Sequence, residues 1–199
     1  MYLGLWHLSE PEEYFMEHLH LSDDEVDQLQ IIKGDRRRHW LCARLLLHHL
    51  SAREERIQCV KDDYGKPYLL GSEHHISLSH SDELVSVIAG TPCVGIDIQK
   101  LVPKITRIKH KFCSEAEEDI LSDIEEMHRW HLLWGAKEAA FKAYGRKKVD
   151  YLQDLALTSF ENGRFTMTLD KSNEHHEYIG RLEQWQEYTL VYLWEKQSS

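Results

Sequence analysis

The 199-residue sequence predicts an α+β fold made of two similar halves, each with helices packed on a small, mainly antiparallel sheet. Three observations lead there. Helix-type segments precede strand-type segments, and that order recurs loosely in the second half. The strand segments are short and divided by turn residues, Tyr64-Gly65-Lys66-Pro67 and Asn162-Gly163 among them, as hairpins require. The chain is 42% hydrophobic and 29% charged, which suits one sizeable core or two small packed ones.

Taken in order, the helix starts read as capping boxes at Ser9-x-x-Glu12, Ser22-x-x-Glu25, Ser51-x-x-Glu54 and Ser114-x-x-Glu117. A helix from about Gly34 to Leu50 carries Arg36, Arg37, Arg38 and Arg44 beside a leucine-rich face. Strands are expected at 57–60, 68–70 and 74–79, then two strongly apolar ones at 84–89 and 94–98. The second half brings a basic segment, an acidic helix over 115–126, and a long helix from about Met127 to Tyr144 closed by Gly145. Strands at 155–160, 164–169, 178–182 and 188–194 end the chain. These shifts set the lobes at 1–93 and 94–199.

Composition excludes several classes. A net charge of −10 argues against a nucleic-acid binder, which needs a dominant basic surface. The charge is uneven, however: Lys100 to Lys111 holds no acid, and reads either as a solvated amphipathic helix or as a strip for an anionic partner. Cys42, Cys59, Cys93 and Cys113 form no C-x-x-C pair, so neither a disulfide framework nor a zinc knuckle is expected. No apolar run approaches the roughly 20 residues of a membrane span, and the N-terminal apolar stretch is short and lacks a basic lead-in. A reduced, soluble, cytoplasmic protein is the expectation. His48-His49, His74-His75 and His175-His176 point apart on helix or strand, while His128 and His131 share a face without a third ligand. These read as surface or packing histidines.

Three segments can carry chemistry. In Val94-Gly95-Ile96-Asp97-Ile98-Gln99-Lys100, a strand puts Asp97 and Gln99 on one face. A carboxylate on an apolar strand either caps a turn or meets a cation. In Trp134-Gly135-Ala136-Lys137-Glu138-Ala139-Ala140-Phe141-Lys142-Ala143, helical spacing aligns Trp134, Glu138 and Lys142. Glu138 and Lys142 are either a surface ion pair, or Glu138 joins Asp97 on a hard cation while Lys142 meets phosphate. Magnesium suits the second case. Ser77-Leu78-Ser79-His80-Ser81 offers hydroxyls and an imidazole at a strand end, either for phosphate or for capping a turn. Lys66 sits in a Gly-x-Pro turn and is a fixed cation or a plain turn lysine. No Walker loop, G-x-G-x-x-G or G-x-S-x-G is present.

In this order the segments resemble the 4′-phosphopantetheinyl transferase superfamily, specifically its two-lobed surfactin-synthetase-activating type. The resemblance runs through Tyr64-Gly65-Lys66-Pro67, Ser77–Ser81, Gly95-Ile96-Asp97-Ile98, Phe112-x-x-x-x-Glu117 and Trp134-x-x-Lys137-Glu138-Ala139-x-x-Lys142. It implies an active site in the cleft between the lobes of a monomer. It also implies transfer of the phosphopantetheine arm of coenzyme A to a serine of an acyl or peptidyl carrier protein. Asp97 and Glu138 would hold magnesium, and Gln99 stands where the family commonly has a further ligand, glutamate. Lys66, Ser79, His80, Lys142 and Arg38 would contact coenzyme A. Glu138, Lys142 and Glu117 would act in catalysis, with Glu117 open to a second reading as the cap of its own helix. Gln99 and the acidic stretch Leu21-Ser22-Asp23-Asp24-Glu25 depart from the family pattern. They motivate an alternative: a homologue that binds coenzyme A or a carrier without transfer.

Overall fold

Each half opens on a strand, passes through helices and closes with a four-strand meander. The structure is a computed structural model that describes residues 1–51, 53–146 and 148–197. The first half comprises β1 (Tyr2–His7), α1 (Glu12–His18), α2 (Asp23–Ile31), α3 (Arg36–Ser51), β2 (Cys59–Lys61), β3 (Pro67–Leu69), β4 (His75–Ser81) and β5 (Leu84–Gly90). The second comprises β6 (Val94–Lys100), α4 (Ile105–Ile108), a 3-10 turn (Lys109–Lys111), α5 (Glu115–Ile120), α6 (Glu126–Tyr144), β7 (Leu155–Glu161), β8 (Arg164–Lys171), β9 (Glu174–Trp185) and β10 (Tyr188–Glu195). The two five-stranded sheets run β1-β5-β4-β3-β2 and β6-β10-β9-β8-β7, each opening strand pairing antiparallel with the last strand of its half. The α+β class and the paired halves expected from the sequence are what the chain forms.

Local signals explain most boundaries and also the departures. Ser22 and Ser114 form complete capping boxes with Glu25 and Glu117. The other two do not form. Helix α1 starts after Pro11 with no side-chain cap, and Ser51 ends α3 by donating to the His48 carbonyl at 2.7 Å. The acidic helix stops at Ile120, because Glu125 caps α6 by accepting from the N–H groups of Met127 and His128. Gly145 ends α6 in the left-handed region at φ 69°, and Asn162-Gly163 turns with φ 49° and 74°. Strand β1 escaped the sequence reading, since Tyr2, Leu3 and Leu5 are all exposed and blur its alternation.

Each half has its own core. Leu41, Leu45 and Leu46 of α3 pack against Ile76, Val85 and Val87, and Leu132, Leu133 and Ala136 of α6 against Leu157, Met167 and Leu193. A third cluster closes the seam between halves, joining Leu84 and Ile88 of β5 to Val94, Ile96 and Ile98 of β6 and to Leu190 of β10. Along that seam the free edge of β6 meets a row of hydroxyls. The N–H groups of Ile96, Ile98 and Lys100 donate to Ser77, Ser79 and Ser81 at 3.2, 3.2 and 3.0 Å. Side chains of β4 thus satisfy donors that an edge strand would otherwise leave bare. On its other side β6 lies hard against α6: a Cβ built on Gly95 would sit 1.9 Å from the Ala139 carbonyl oxygen.

Candidate active site

That close approach positions the chemistry. Ile96 and Ile98 turn into the seam, so Asp97 between them faces α6. Asp97 is 6% exposed. Oδ1 accepts from Lys142 Nζ at 2.7 Å and from Ser79 Oγ at 3.0 Å, and Oδ2 accepts from the Gln99 amide nitrogen. Lys142 spends its other donors on Ser79 Oγ and the Ile96 carbonyl, both at 3.0 Å. Its ion pair therefore lies with Asp97 across the elements, and is not the surface pair with Glu138 that helix spacing alone allows. Ser79 is saturated as well, since it donates to Asp97 and accepts from Lys142 and the Ile98 N–H.

Glu138, one turn before Lys142, accepts from the Tyr151 hydroxyl at 3.0 Å. Burial first, and then the charge of Asp97, push its pKa above the ordinary carboxylate value. Two hard, partly desolvated carboxylates, of which only Asp97 has an ammonium partner, leave surplus negative charge, the condition in which a divalent cation is favoured. Among the described residues no group of three or more His, Cys, Asp or Glu is arranged to hold a metal. A cation here is therefore a two-carboxylate case, with the remaining positions open to water or substrate.

Two cavities flank this centre. One of about 260 Å³ is lined by Arg36, His39, Lys61, Ser79 and His80. The other, about 280 Å³, is lined by Lys61, Lys66, Lys142 and Arg146. Lys61, Pro67 and Leu78 border both, so the two make one groove whose cationic lining suits an extended anion. His80 stacks on His39, with ring centroids 4.4 Å apart. His39 donates through Nε2 to the Asp82 carbonyl at 2.7 Å.

Residues 93–193 match the model of the 4′-phosphopantetheinyl transferase superfamily. The chain belongs to this superfamily. It is 31% identical over 109 residues to 4′-phosphopantetheinyl transferase gsp of Aneurinibacillus migulanus, covering 53% of this chain and 46% of the relative. It is 31% identical over 125 residues to 4′-phosphopantetheinyl transferase ffp of Bacillus subtilis (60% and 54%). To 4′-phosphopantetheinyl transferase Sfp of Bacillus subtilis strain 168 it is 28% identical over 121 residues (59% and 54%). The chain spans about half the length of the curated relatives it matches. No described helix is long and apolar enough to cross a membrane.

Within this superfamily frame, the structure gathers Asp97, Glu138, Lys142 and Ser79, and places His80 on the adjoining groove. Other residues singled out from the sequence fall elsewhere. Glu117 is enclosed: its carboxylate accepts from the Ser114 N–H and hydroxyl, from the Leu157 N–H at 2.9 Å and from Lys137. It serves as a cap and as the counter-ion of a buried lysine, with no lone pair left for substrate. Arg38 pairs with Asp35 at 3.2 Å, and it is Arg36 that lines the groove. Lys66 borders the groove but turns its ammonium to the Ala143 carbonyl, its chain passing over Gly145, where a Cβ would meet Lys66 Cδ at 2.2 Å. Gln99 aims nitrogen, not oxygen, at Asp97. The sequence reading missed Tyr151 and His39, which no motif marks. It quoted Lys137 without a role, although a lysine amid apolar helix positions is itself a signal of a buried pair.

Proposed function

We propose that this protein transfers the 4′-phosphopantetheine group of coenzyme A to a serine of an apo carrier protein. The observation that carries the reading is the meeting of Asp97 from β6 with Glu138 and Lys142 from α6 beside a cationic groove. Membership of the superfamily supplies the reaction class. The groove, which runs over lobe 1–93 and reaches Lys142 and Arg146 of lobe 94–199, would take the nucleotide and pyrophosphate, with Arg36, His80 and Lys66 on its walls and Lys142 turning from Asp97 to a phosphate oxygen. Asp97 and Glu138 fit magnesium by donor chemistry. When bound, the ion would neutralise pyrophosphate charge and orient it for displacement. The carrier serine oxygen attacks the β-phosphorus, its bond to the bridging oxygen breaks, and adenosine 3′,5′-bisphosphate leaves. The serine proton goes to a carboxylate. Glu138, half-buried and with raised proton affinity, is the candidate acceptor, whereas Glu117 is enclosed. One chain would hold the complete site, so a monomer suffices, in the cytoplasm where coenzyme A and carriers meet.

The test is to mix the protein with coenzyme A, magnesium and a panel of apo acyl and peptidyl carriers, and to weigh the carriers by mass spectrometry. A gain of one phosphopantetheine is expected. Asp97→Ala and Glu138→Ala should each stay folded and lose more than about tenfold in rate, over about 1.4 kcal/mol. A carrier panel that gains no mass removes the activity. An alanine variant that retains a tenth of the rate or more removes that residue as a ligand.

A further inference from the structure

The charge of Asp97 dictates the state of a side chain two residues removed from it in contact. A carboxylate oxygen only accepts, so the Gln99 group facing Asp97 Oδ2 must be the amide nitrogen. The Gln99 oxygen then faces His131 Nδ1 at 3.1 Å, which must carry the hydrogen. Nε2 lies 3.0 Å from the Val102 nitrogen and 3.2 Å from its carbonyl oxygen; in the neutral ring that carries its hydrogen on Nδ1, Nε2 is bare and accepts from the N–H. His131 is 1% exposed, and burial favours the uncharged ring. Space for the amide comes from Gly135, where a Cβ would stand 3.4 Å from the Gln99 nitrogen. From Asp97 through Gln99 to His131 Nδ1 the hydrogen bonds run in one direction only, whereas Nε2 has both the N–H and the carbonyl oxygen of Val102 within reach.

We propose that His131 is a positioning residue, which locks the Gln99 amide as a hydrogen-bond donor to Asp97 and so keeps its carbonyl oxygen off the cation. The inference rests on the reading of Asp97 as a cation ligand. It gives Gln99 a role other than ligand: a neutral donor stands where a third anionic oxygen would otherwise compete with substrate for the metal. His131, on α6, thereby sets the ligand count of a centre that it does not touch.

Two measurements decide it. In the metal-free full chain at neutral pH, long-range proton–nitrogen NMR should show His131 neutral and protonated on Nδ1, and Gln99→Leu should shift it toward the Nε2 form. A wild-type ring protonated on Nε2 alone overturns the relay whatever the metal does, whereas one protonated on both nitrogens still donates through Nδ1 and keeps the lock. The second uses Mn²⁺ as calorimetric probe. Asn places its amide where Nδ1 stood and keeps the bond to Gln99, whereas Gln reaches the Nε2 position and keeps only the bond to Val102. His131→Asn should bind Mn²⁺ within about twofold of wild type. His131→Gln frees the Gln99 oxygen and should tighten binding threefold or more, an effect that disappears in a Gln99→Ala background. Equal behaviour of the two variants, weaker binding by His131→Gln, or an effect that persists without Gln99 means His131 is only a packing group. A wild type that takes up no Mn²⁺ while the ring is protonated on Nδ1 removes the cation reading and leaves the lock standing.

Discussion

Replacing Gly95 by alanine should damage the site without touching any group in it. Gly95 does not have a positive φ, so alanine meets no backbone penalty there and the effect is steric. The new methyl would lie 1.9 Å from the Ala139 carbonyl oxygen and 2.7 Å from its carbon, both in helix backbone that cannot rotate away. Contacts between a Cβ and another heavy atom hardly occur below 3.0 Å, so β6 and α6 must part by about 1.1 Å. Overpacking of this kind costs about 1–3 kcal/mol, and displacement by about 1 Å in a site that depends on alignment costs on the order of 10²-fold in rate. Asp97 rides on β6 and Glu138 on α6, so the shift falls on the distance between them. Urea unfolding and the carrier-loading rate measure the two consequences. Gly90→Ala is the control, because its methyl would meet a Val94 side-chain atom at 3.1 Å and should cost under about 1 kcal/mol. If Gly95→Ala also costs under about 1 kcal/mol and loads carrier within threefold of wild type, the close approach does not set the geometry of the site.

Three further outcomes are expected. The raised pKa of Glu138 means that the folded state holds a proton which the unfolded chain releases above about 4.5, so stability falls as pH rises through that window. Glu138→Gln should therefore unfold at higher urea than wild type at pH 7 and at the same urea below pH 4.5; equal midpoints at both pH values would refute the electrostatic strain. Lys137→Met leaves Glu117 buried without its counter-ion and should cost about 3–5 kcal/mol by urea unfolding. A loss under about 1 kcal/mol would show that the pair is not enclosed. Gln99→Glu adds an anionic oxygen beside Asp97, with His131 Nδ1 still able to donate to it. Half-saturation by magnesium should fall about tenfold, about 1.4 kcal/mol, and an unchanged magnesium curve would place Gln99 outside the cation's reach.

How far residue pattern reaches is clearest on α3 and β4. The arginine helix was legible from its leucines, but three successive arginines lie roughly 100° apart around a helix, and only packing tells which one enters the groove. Arg36 does, while Arg38 turns to Asp35. On β4 the alternating serines were read as phosphate donors or turn caps. Their partners are backbone N–H groups of β6, a long-range contact that no local pattern encodes. Glu117 carried two readings because one carboxylate can cap a helix or serve a substrate, and burial beside Lys137 decides between them. The basic stretch split in the same way. Of its two readings, a solvated amphipathic helix or a strip for an anionic partner, the single helix is replaced by two short helical turns in which Lys109 pairs with Glu118. Asp97, Glu138 and Lys142 were legible because strand and helix periodicity fix their facing directions, and Gly95 and Ala139 bring the two elements together.

The serine row along the seam has a consequence for how the molecule breathes. Strand β6 is the outermost strand of its sheet, yet its outward amides are held by side chains of the other half. Amide hydrogens of Ile96, Ile98 and Lys100 should exchange with solvent as slowly as those of a central strand, and all three should quicken together when Ser79 is replaced by alanine. Because Ser79 also donates to Asp97, any fluctuation that parts the halves at this point withdraws support from the carboxylate in the same instant. Under the proposed function, substrates would enter along the groove, not through a parting of the halves.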